Sequence, residues 1–201
     1  MDIRNEIKFE ATERYWAERA INWETHYFSP EHPHRKQMAQ ILKNYLFHSV
    51  LEVGCGAGAN LYRLKMLEDF GSIEVMGCDI NKDAVAEAQR HLKDGEFKQG
   101  MAEKIPFADK CADLVITDAC LIYVPPEKIE IAKNELLRVA KKYLLLCEWH
   151  GQNQFDGHWC YDYQKLFDGY NVKLEKIISW GGSWEKYGTF ALVEVESKRE
   201  H

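Results

Sequence analysis

Between positions 51 and 60 the chain reads Leu-Glu-Val-Gly-Cys-Gly-Ala-Gly-Ala-Asn. A turn built on Gly54, Gly56 and Gly58 has no Cβ at alternate positions, so a ligand can approach its backbone closely. Further on, Gly77-Cys78-Asp79-Ile80-Asn81 ends an apolar run in a carboxylate. A carboxylate at a strand end can accept both hydroxyl protons of a ribose, as nucleotide folds of this topology do. The glycines alone are ambiguous, because Gly54, Gly56 and Ala59 also satisfy the dinucleotide pattern G-x-G-x-x-G/A. Blander readings stand beside these: a tight turn packed under a helix for the glycines, and an ordinary strand-end turn for Asp79.

Three features favour S-adenosylmethionine over a dinucleotide. Glu52 lies inside an otherwise apolar strand, where an unpaired carboxylate costs several kcal/mol, so a partner should meet it. The ammonium of a methionine moiety would do so, whereas a pyrophosphate would be repelled. Gly58 gives G-x-G-x-G spacing, and about 50 residues precede this strand, whereas dinucleotide domains often begin near theirs.

The surrounding pattern predicts the elements that hold these residues. Ile3, Ile7, Ala11 and Tyr15 recur every four residues on an N-terminal helix, and Met38, Ile41, Leu42, Tyr45 and Leu46 mark a second helix after a Pro30/Pro33 break. Strands are predicted at 49–53, 73–78, 96–99, 112–117 and 143–148, with helices at 60–68, 82–92 and from Pro125-Pro126 to about 140. Proline suits the first turn of that last helix. A short helix near 161–167 follows. The segments 172–180 and 189–196, joined through Gly181-Gly182, read as an antiparallel pair. Strand–helix alternation through five strands predicts an α/β, doubly wound parallel sheet with the final pair added at one edge. No repeat or linker divides the chain, so residues 1–201 read as a single domain: a helical cap over 1–47, a cofactor-binding core over 48–150 and a substrate-side segment over 151–201.

Composition narrows the function classes. The chain has 201 residues, 26 Lys+Arg against 32 Asp+Glu, and a formal net charge of −6. That balance, without a long basic run, argues against nucleic acid or an anionic membrane surface as the main partner. No stretch of 18 apolar residues and no signal-peptide core occurs, so a cytoplasmic protein is expected. Six cysteines lie far apart without a C-x-x-C pair, which reads as free thiols and neither a disulfide framework nor a zinc site. His32-x-His34 and His158-x-Cys160 have the spacing of metal-ligand pairs, but the expectation is that no metal is bound. His34-Arg35-Lys36 could grip one phosphate or carboxylate, or simply be solvated.

The 52–58 segment resembles motif I of class I S-adenosylmethionine-dependent methyltransferases, acid-x-Gly-x-Gly-x-Gly, and Cys78-Asp79-Ile80 resembles their acidic second motif. Gly100-Met101-Ala102-Glu103-Lys104-Ile105-Pro106-Phe107, followed by Ala112-Asp113-Leu114-Val115, is similar to the family's A-E-x-L-P-F … F-D-L-V stretch. That wording is typical of the branch containing quinone-biosynthesis methyltransferases and many small-molecule enzymes. The likeness covers about residues 48–150. More loosely, Tyr15-Trp16 and Leu121-Ile122-Tyr123-Val124-Pro125-Pro126 resemble methylases associated with pseudaminic acid biosynthesis.

The resemblance implies a Rossmann-like seven-stranded sheet whose last strand is antiparallel, and S-adenosyl-L-methionine as cofactor. It implies that Gly54, Cys55, Gly56 and Gly58 run beside the methionine half, with Glu52 serving its amino group directly or through water. Asp79 should hold the ribose, Ile80 should cover one adenine face, and Ala102 and Glu103 should flank the adenine edge. Many relatives carry an aspartate where Met101 stands, so Glu103 or a backbone carbonyl must accept from the adenine amino group, or that contact is missing. Thr117 and Asp118 should border the methionine chain from the other side.

A sulfonium methyl is already electrophilic, so transfer by in-line displacement needs alignment above all. A hydroxyl acceptor also wants a general base. His150, just past a strand end, is the candidate, with a simple loop hydrogen bond as its bland alternative; for Tyr123 and Tyr15 core packing is the expectation. Trp149, Trp159, Trp180 and Trp184 would line a cleft for a planar or apolar small-molecule acceptor. The function expected is methyl transfer to such a molecule. A non-catalytic S-adenosylmethionine-binding protein and an NAD(P)-dependent oxidoreductase are the alternatives.

Overall fold

The computed structural model describes residues 12–151, 154–155, 158–178 and 182–198. Ile3, Ile7, Ala11, Trp180 and Gly181 lie outside the described residues.

Seven strands form one sheet in the order β3-β2-β1-β4-β5-β9-β8. Its members are β1 (Ser49–Val53), β2 (Glu74–Asp79), β3 (Glu96–Gln99), β4 (Ala112–Asp118), β5 (Ala140–Trp149), β8 (Tyr170–Lys176) and β9 (Gly188–Lys198). The first five run parallel, and β9 lies antiparallel between β5 and β8. The seven-stranded doubly wound sheet is therefore as expected, and the antiparallel strand is the last in sequence. A two-stranded ribbon, β6 (Gln154–Phe155) and β7 (His158–Trp159), stands apart from it.

The helices are α1 (residues 12–18), α2 (Trp23–Tyr27), α3 (Pro33–Leu42), α4 (Ala59–Lys65), α5 (Lys82–His91), α6 (Pro126–Val139), α7 (Tyr163–Leu166) and α8 (Gly182–Tyr187). Pro33 opens α3 where a break was expected, because its missing N–H costs nothing in the first helical turn. The helix buries Met38, Ala39 and Leu42 and ends there, leaving Leu46 exposed. Tyr15 is 53% exposed, against the expectation of core packing. Two short helices, α2 and α8, went unpredicted; five or six residues carry too little periodicity to read.

Strand alternation sorts the core into two layers. Leu51, Val53 and Val115 pack with Ile129, Ala132 and Leu136 of α6 on one face, while Val50, Leu114 and Ile116 meet Met38, Leu42, Leu61 and Leu64 of α3 and α4 on the other. Because side chains alternate with period two, Glu52 shares the Val50 face and Asp118 the Leu114 face. Both carboxylates therefore point at α3 and α4. By the same rule Glu148 points to the opposite face.

Asn81 ties the N-terminal segment to this frame. Its Oδ1 caps α5 by accepting from Asp83 N–H and Ala84 N–H at 2.9 and 3.1 Å. Its Nδ2 donates to the carbonyls of Trp16 and Arg19 at 2.8 and 3.0 Å. One buried amide thus fixes where the N-terminal residues stand over the strand ends.

Candidate active site

The sequence order of the strands reverses between β1 and β4, and in open α/β sheets ligands sit outside the carboxyl ends at such a point. The glycine turn lies there. Gly54, Gly56 and Gly58 all have left-handed φ values of 76, 50 and 79°. The N–H groups of Gly54 and Cys55 both donate to Cys78 O, at 2.8 and 3.0 Å, tying the turn to the end of β2. Asp79 completes the junction, accepting from Gly56 N–H and Asn81 N–H at 2.9 Å each. Burial raises its pKa, and those two donors pull the other way.

Beneath the turn sits a buried polar chain. Asn60 Nδ2 donates to Glu52 at 2.6 Å and to Asp118 Oδ2 at 2.8 Å. His34, fully buried at the start of α3, bonds the same Asp118 oxygen through Nε2 at 2.9 Å and faces His32 through Nδ1. Burial pushes the Glu52 carboxyl up to about 8. Asp118 is also buried, yet the His34 and Asn60 hydrogen bonds hold it well below the usual carboxylate range. Two adjacent carboxylates thus divide into one that keeps its proton near neutral pH and one that is ionised.

On the opposite face, Glu148 gathers the turn after β4. Its carboxylate accepts from Cys120, Leu121 and Ile122 N–H at 3.0, 3.1 and 3.3 Å. Burial raises it to about 7 against those donors.

A cavity of about 690 Å³ opens over the strand ends. One end is walled by Gly54, Gly56, Asp118 and Arg35, and Asp79, Ile80, Met101, Ala102 and Glu103 follow along it. The far end is aromatic. Trp16 meets Tyr123 at 5.1 Å, Tyr123 meets His158 at 5.0 Å, and Trp149 meets His158 at 4.9 Å and Trp184 at 5.8 Å, all between ring centroids. Of the tryptophans expected to line an aromatic cleft, Trp149 and Trp184 do and Trp159 does not, while Trp16, Tyr123 and His158 complete its walls.

A methyltransferase-domain family model matches residues 50–143. Those residues, just under half of the chain, are similar to a methyltransferase domain. The N-methyltransferase NodS of Bradyrhizobium japonicum, solved with S-adenosylhomocysteine, is 15% identical with a TM-score of 0.70, covering 93% of this chain and 97% of its own. The magnesium protoporphyrin IX methyltransferase ChlM of Synechocystis, solved with bound cofactor, is 15% identical with a TM-score of 0.68, over 93% and 96%. Both likenesses concern the fold. A Haemophilus influenzae protein of uncharacterised function is 32% identical over 98 residues, 46% of this chain. The match spans 38% of that relative's length.

Of the residues expected to bind the cofactor, Gly54, Gly56, Asp79, Ile80, Met101, Ala102, Glu103 and Asp118 meet at the cavity wall. Cys55, Gly58, Thr117 and Glu52 do not line it. Glu52, only 2% exposed, reaches it through Asn60 and Asp118. Gly58 instead lets the turn pack on α5, since a Cβ there would stand 3.2 Å from Ala88 Cβ. His150 is corrected: it is absent from the cavity wall, and its Nδ1 faces the Tyr163 N–H at 3.5 Å. The bridge between His150 and Tyr161 carries it away from the cleft.

The residues that sequence reasoning passed over are mostly N-terminal. Trp16, Tyr27, His32 and Arg35 enter the cavity from α1–α3, with His158 added from β7. The sequence signals near them were Tyr15-Trp16, the His32-x-His34 and His158-x-Cys160 spacings and the His34-Arg35-Lys36 cluster, whose Arg35 lines the cavity while His34 is buried.

Among the described residues no helix is long and apolar enough to cross a membrane. His34, Asp118 and Cys147 bring ligand-type atoms within 4.8 Å of one another. The His34–Asp118 hydrogen bond already accounts for that closeness.

Proposed function

We propose that this protein transfers the methyl group of S-adenosyl-L-methionine to a small-molecule acceptor held in the aromatic end of the cavity. The observation that carries the reading is the joining of the glycine turn and Asp79 into one wall of a cavity whose other end is aromatic. Asp79 spends one lone pair per oxygen on backbone N–H groups, which leaves acceptor capacity for two ribose hydroxyls. The Asp118 Oδ1 atom is buried without a partner, which suits the ammonium of the methionine moiety. Arg35 stands in the same wall with a buried, unpartnered Nε and suits its carboxylate. Ile80, Met101 and Ala102 supply an apolar slot for adenine, and Glu103 its polar edge. The sulfonium supplies the electrophilic methyl group, so the walls act by alignment and by excluding water. For a hydroxyl acceptor, His158 is the candidate base in place of His150, because it lines the aromatic end and its Nδ1 is buried without a partner.

The ionised Asp118 at the glycine-turn end disfavours the pyrophosphate of a nicotinamide dinucleotide. Calorimetric titration separates the readings. Micromolar binding of S-adenosylmethionine and S-adenosylhomocysteine, with none of NADH, is expected. Asp79→Ala should weaken both by about 1–3 kcal/mol, the cost of stranding hydrogen-bonding groups. Binding of NADH alone would overturn the proposal, and cofactor binding without turnover across an acceptor screen would favour a non-catalytic binder.

A further inference from the structure

Outside the aromatic end lies a second cavity of about 530 Å³. It shares Thr12, Trp16, Tyr27, Tyr123 and His158 with the main cavity and adds Tyr15 and Arg19. Among the described residues no carboxylate lines it. The two cavities share these walls, and Arg19 lines the second and not the first.

Arg19 is placed with care. Its carbonyl is one of the acceptors of the buried Asn81 amide, so its backbone is fixed to the start of α5. Its guanidinium carbon lies 4.8, 5.2 and 6.0 Å from the ring centroids of Tyr15, Trp16 and Tyr27. Ring faces attract a cation but accept few of its five N–H bonds. Accordingly Arg19 Nε is buried with no acceptor, and among the described residues no carboxylate pairs with this side chain. Arg63, Arg90 and Arg138 by contrast each meet a carboxylate, and Arg35 donates to Ser29. Glu13, the acidic neighbour at the main cavity, is held by Lys128 at 3.4 Å. Among the described residues, no carboxylate neutralises this half-buried guanidinium beside the aromatic pocket.

Building on the methyl-transfer reading above, we propose that the acceptor is a small organic oxyanion, bearing a carboxylate or a phosphate that Arg19 grips while its body lies among Trp16, Tyr123 and His158. A guanidinium matches either group with two parallel N–H···O bonds, which fixes orientation as well as affinity. The anchored end sits at the second cavity, so the methyl-accepting atom is directed toward the glycine turn. Trp16 and Tyr27, which touch both cavities, set the distance between the two.

The test uses the full chain, labelled with ¹⁵N and saturated with S-adenosylhomocysteine so that Arg35 and the glycine turn are occupied. Benzoate, phenyl phosphate, benzamide and tetramethylammonium are titrated at millimolar concentration, following the Trp16 indole N–H and the Arg19 Nε–H. Saturable shifts of both resonances with benzoate or phenyl phosphate are expected, the tighter of the two naming carboxylate or phosphate. Arg19→Gln should weaken that binding by about ten- to a hundredfold, the worth of a charge-assisted hydrogen bond, with S-adenosylhomocysteine affinity unchanged. Arg19→Lys should recover part of it, as charge without the fork. Equal binding of benzamide, preferential binding of tetramethylammonium, or anion binding indifferent to Arg19→Gln would overturn the proposal. Failure of S-adenosylhomocysteine to bind would instead sink the methyl-transfer reading, and the anion titration of the unloaded protein would still report on Arg19.

Discussion

Gly54 and Gly169 offer a matched pair for testing how the glycine turn is built. Both have positive φ, 76 and 86°. They differ in what surrounds them: a Cβ on Gly54 would lie 2.9 Å from both Cβ and Sγ of Cys120, whereas a Cβ on Gly169 would meet nothing within 4 Å. Gly169→Ala should therefore cost only the positive-φ penalty, about 1–2 kcal/mol. Gly54→Ala carries that penalty plus about 1–3 kcal/mol for forcing an extra methyl into a packed site, in total about 2–5 kcal/mol. Urea denaturation followed by tryptophan fluorescence measures both. The expected result is a lower midpoint for each variant and a clearly larger loss for Gly54→Ala. Cys120→Gly in the Gly54→Ala background removes the opposing Cβ and Sγ, so it should recover part of the excess. Equal losses for the two alanine variants, or no recovery in the double variant, would refute the argument that the β4 turn presses on the glycine turn. Because Gly54 and Cys120 both line the cavity, S-adenosylhomocysteine affinity should fall with Gly54→Ala and stay unchanged with Gly169→Ala.

Two further predictions come from the buried carboxyls. The folded-state pKa of Glu52 is raised from 4.5 to about 8, so between those values the native state binds its proton more tightly than the unfolded chain does. Its ionisation therefore erodes stability as pH rises through that window, by a few kcal/mol in order of magnitude. Glu52→Gln, which mimics the protonated acid, should flatten the curve of unfolding free energy against pH between about 5 and 8; an unaltered curve would show that Glu52 is not the titrating group. For Glu148, removal of the carboxylate by Glu148→Ala strands the Cys120, Leu121 and Ile122 N–H groups, at about 1–3 kcal/mol. Amide hydrogen exchange should accelerate at those three positions, and unchanged protection there would mean that other acceptors hold the turn.

The parts of this molecule legible in the sequence are those governed by short-range periodicity. Alternating strands, the helix that follows each, the glycine turn and Asp79 at a strand end are all local patterns, and local sterics fix them. Even the oddity of Glu52 was readable, since a carboxylate in an apolar run demands a partner; Asn60, eight residues away across the turn, proved to be one. The sequence could not say that His34 would share Asp118 with Asn60. That contact requires α3 and the end of β4 to lie on the same face of the sheet, 84 residues apart in the chain.

Tertiary structure alone also decided which histidine faces the cleft. His150 precedes the short ribbon and His158 belongs to it; the pairing of His150 is with Tyr161, whereas His158 lies among Tyr123 and Trp149. Arg19 is the clearest case. In the sequence it is one charged residue among many on a polar helical stretch. Only the Asn81 amide, reaching across from α5 to its carbonyl, sets it over three aromatic rings and away from every described carboxylate. Periodicity can state which face of an element is apolar; which distant elements meet, and therefore which charges find partners, depends on packing across the whole sheet.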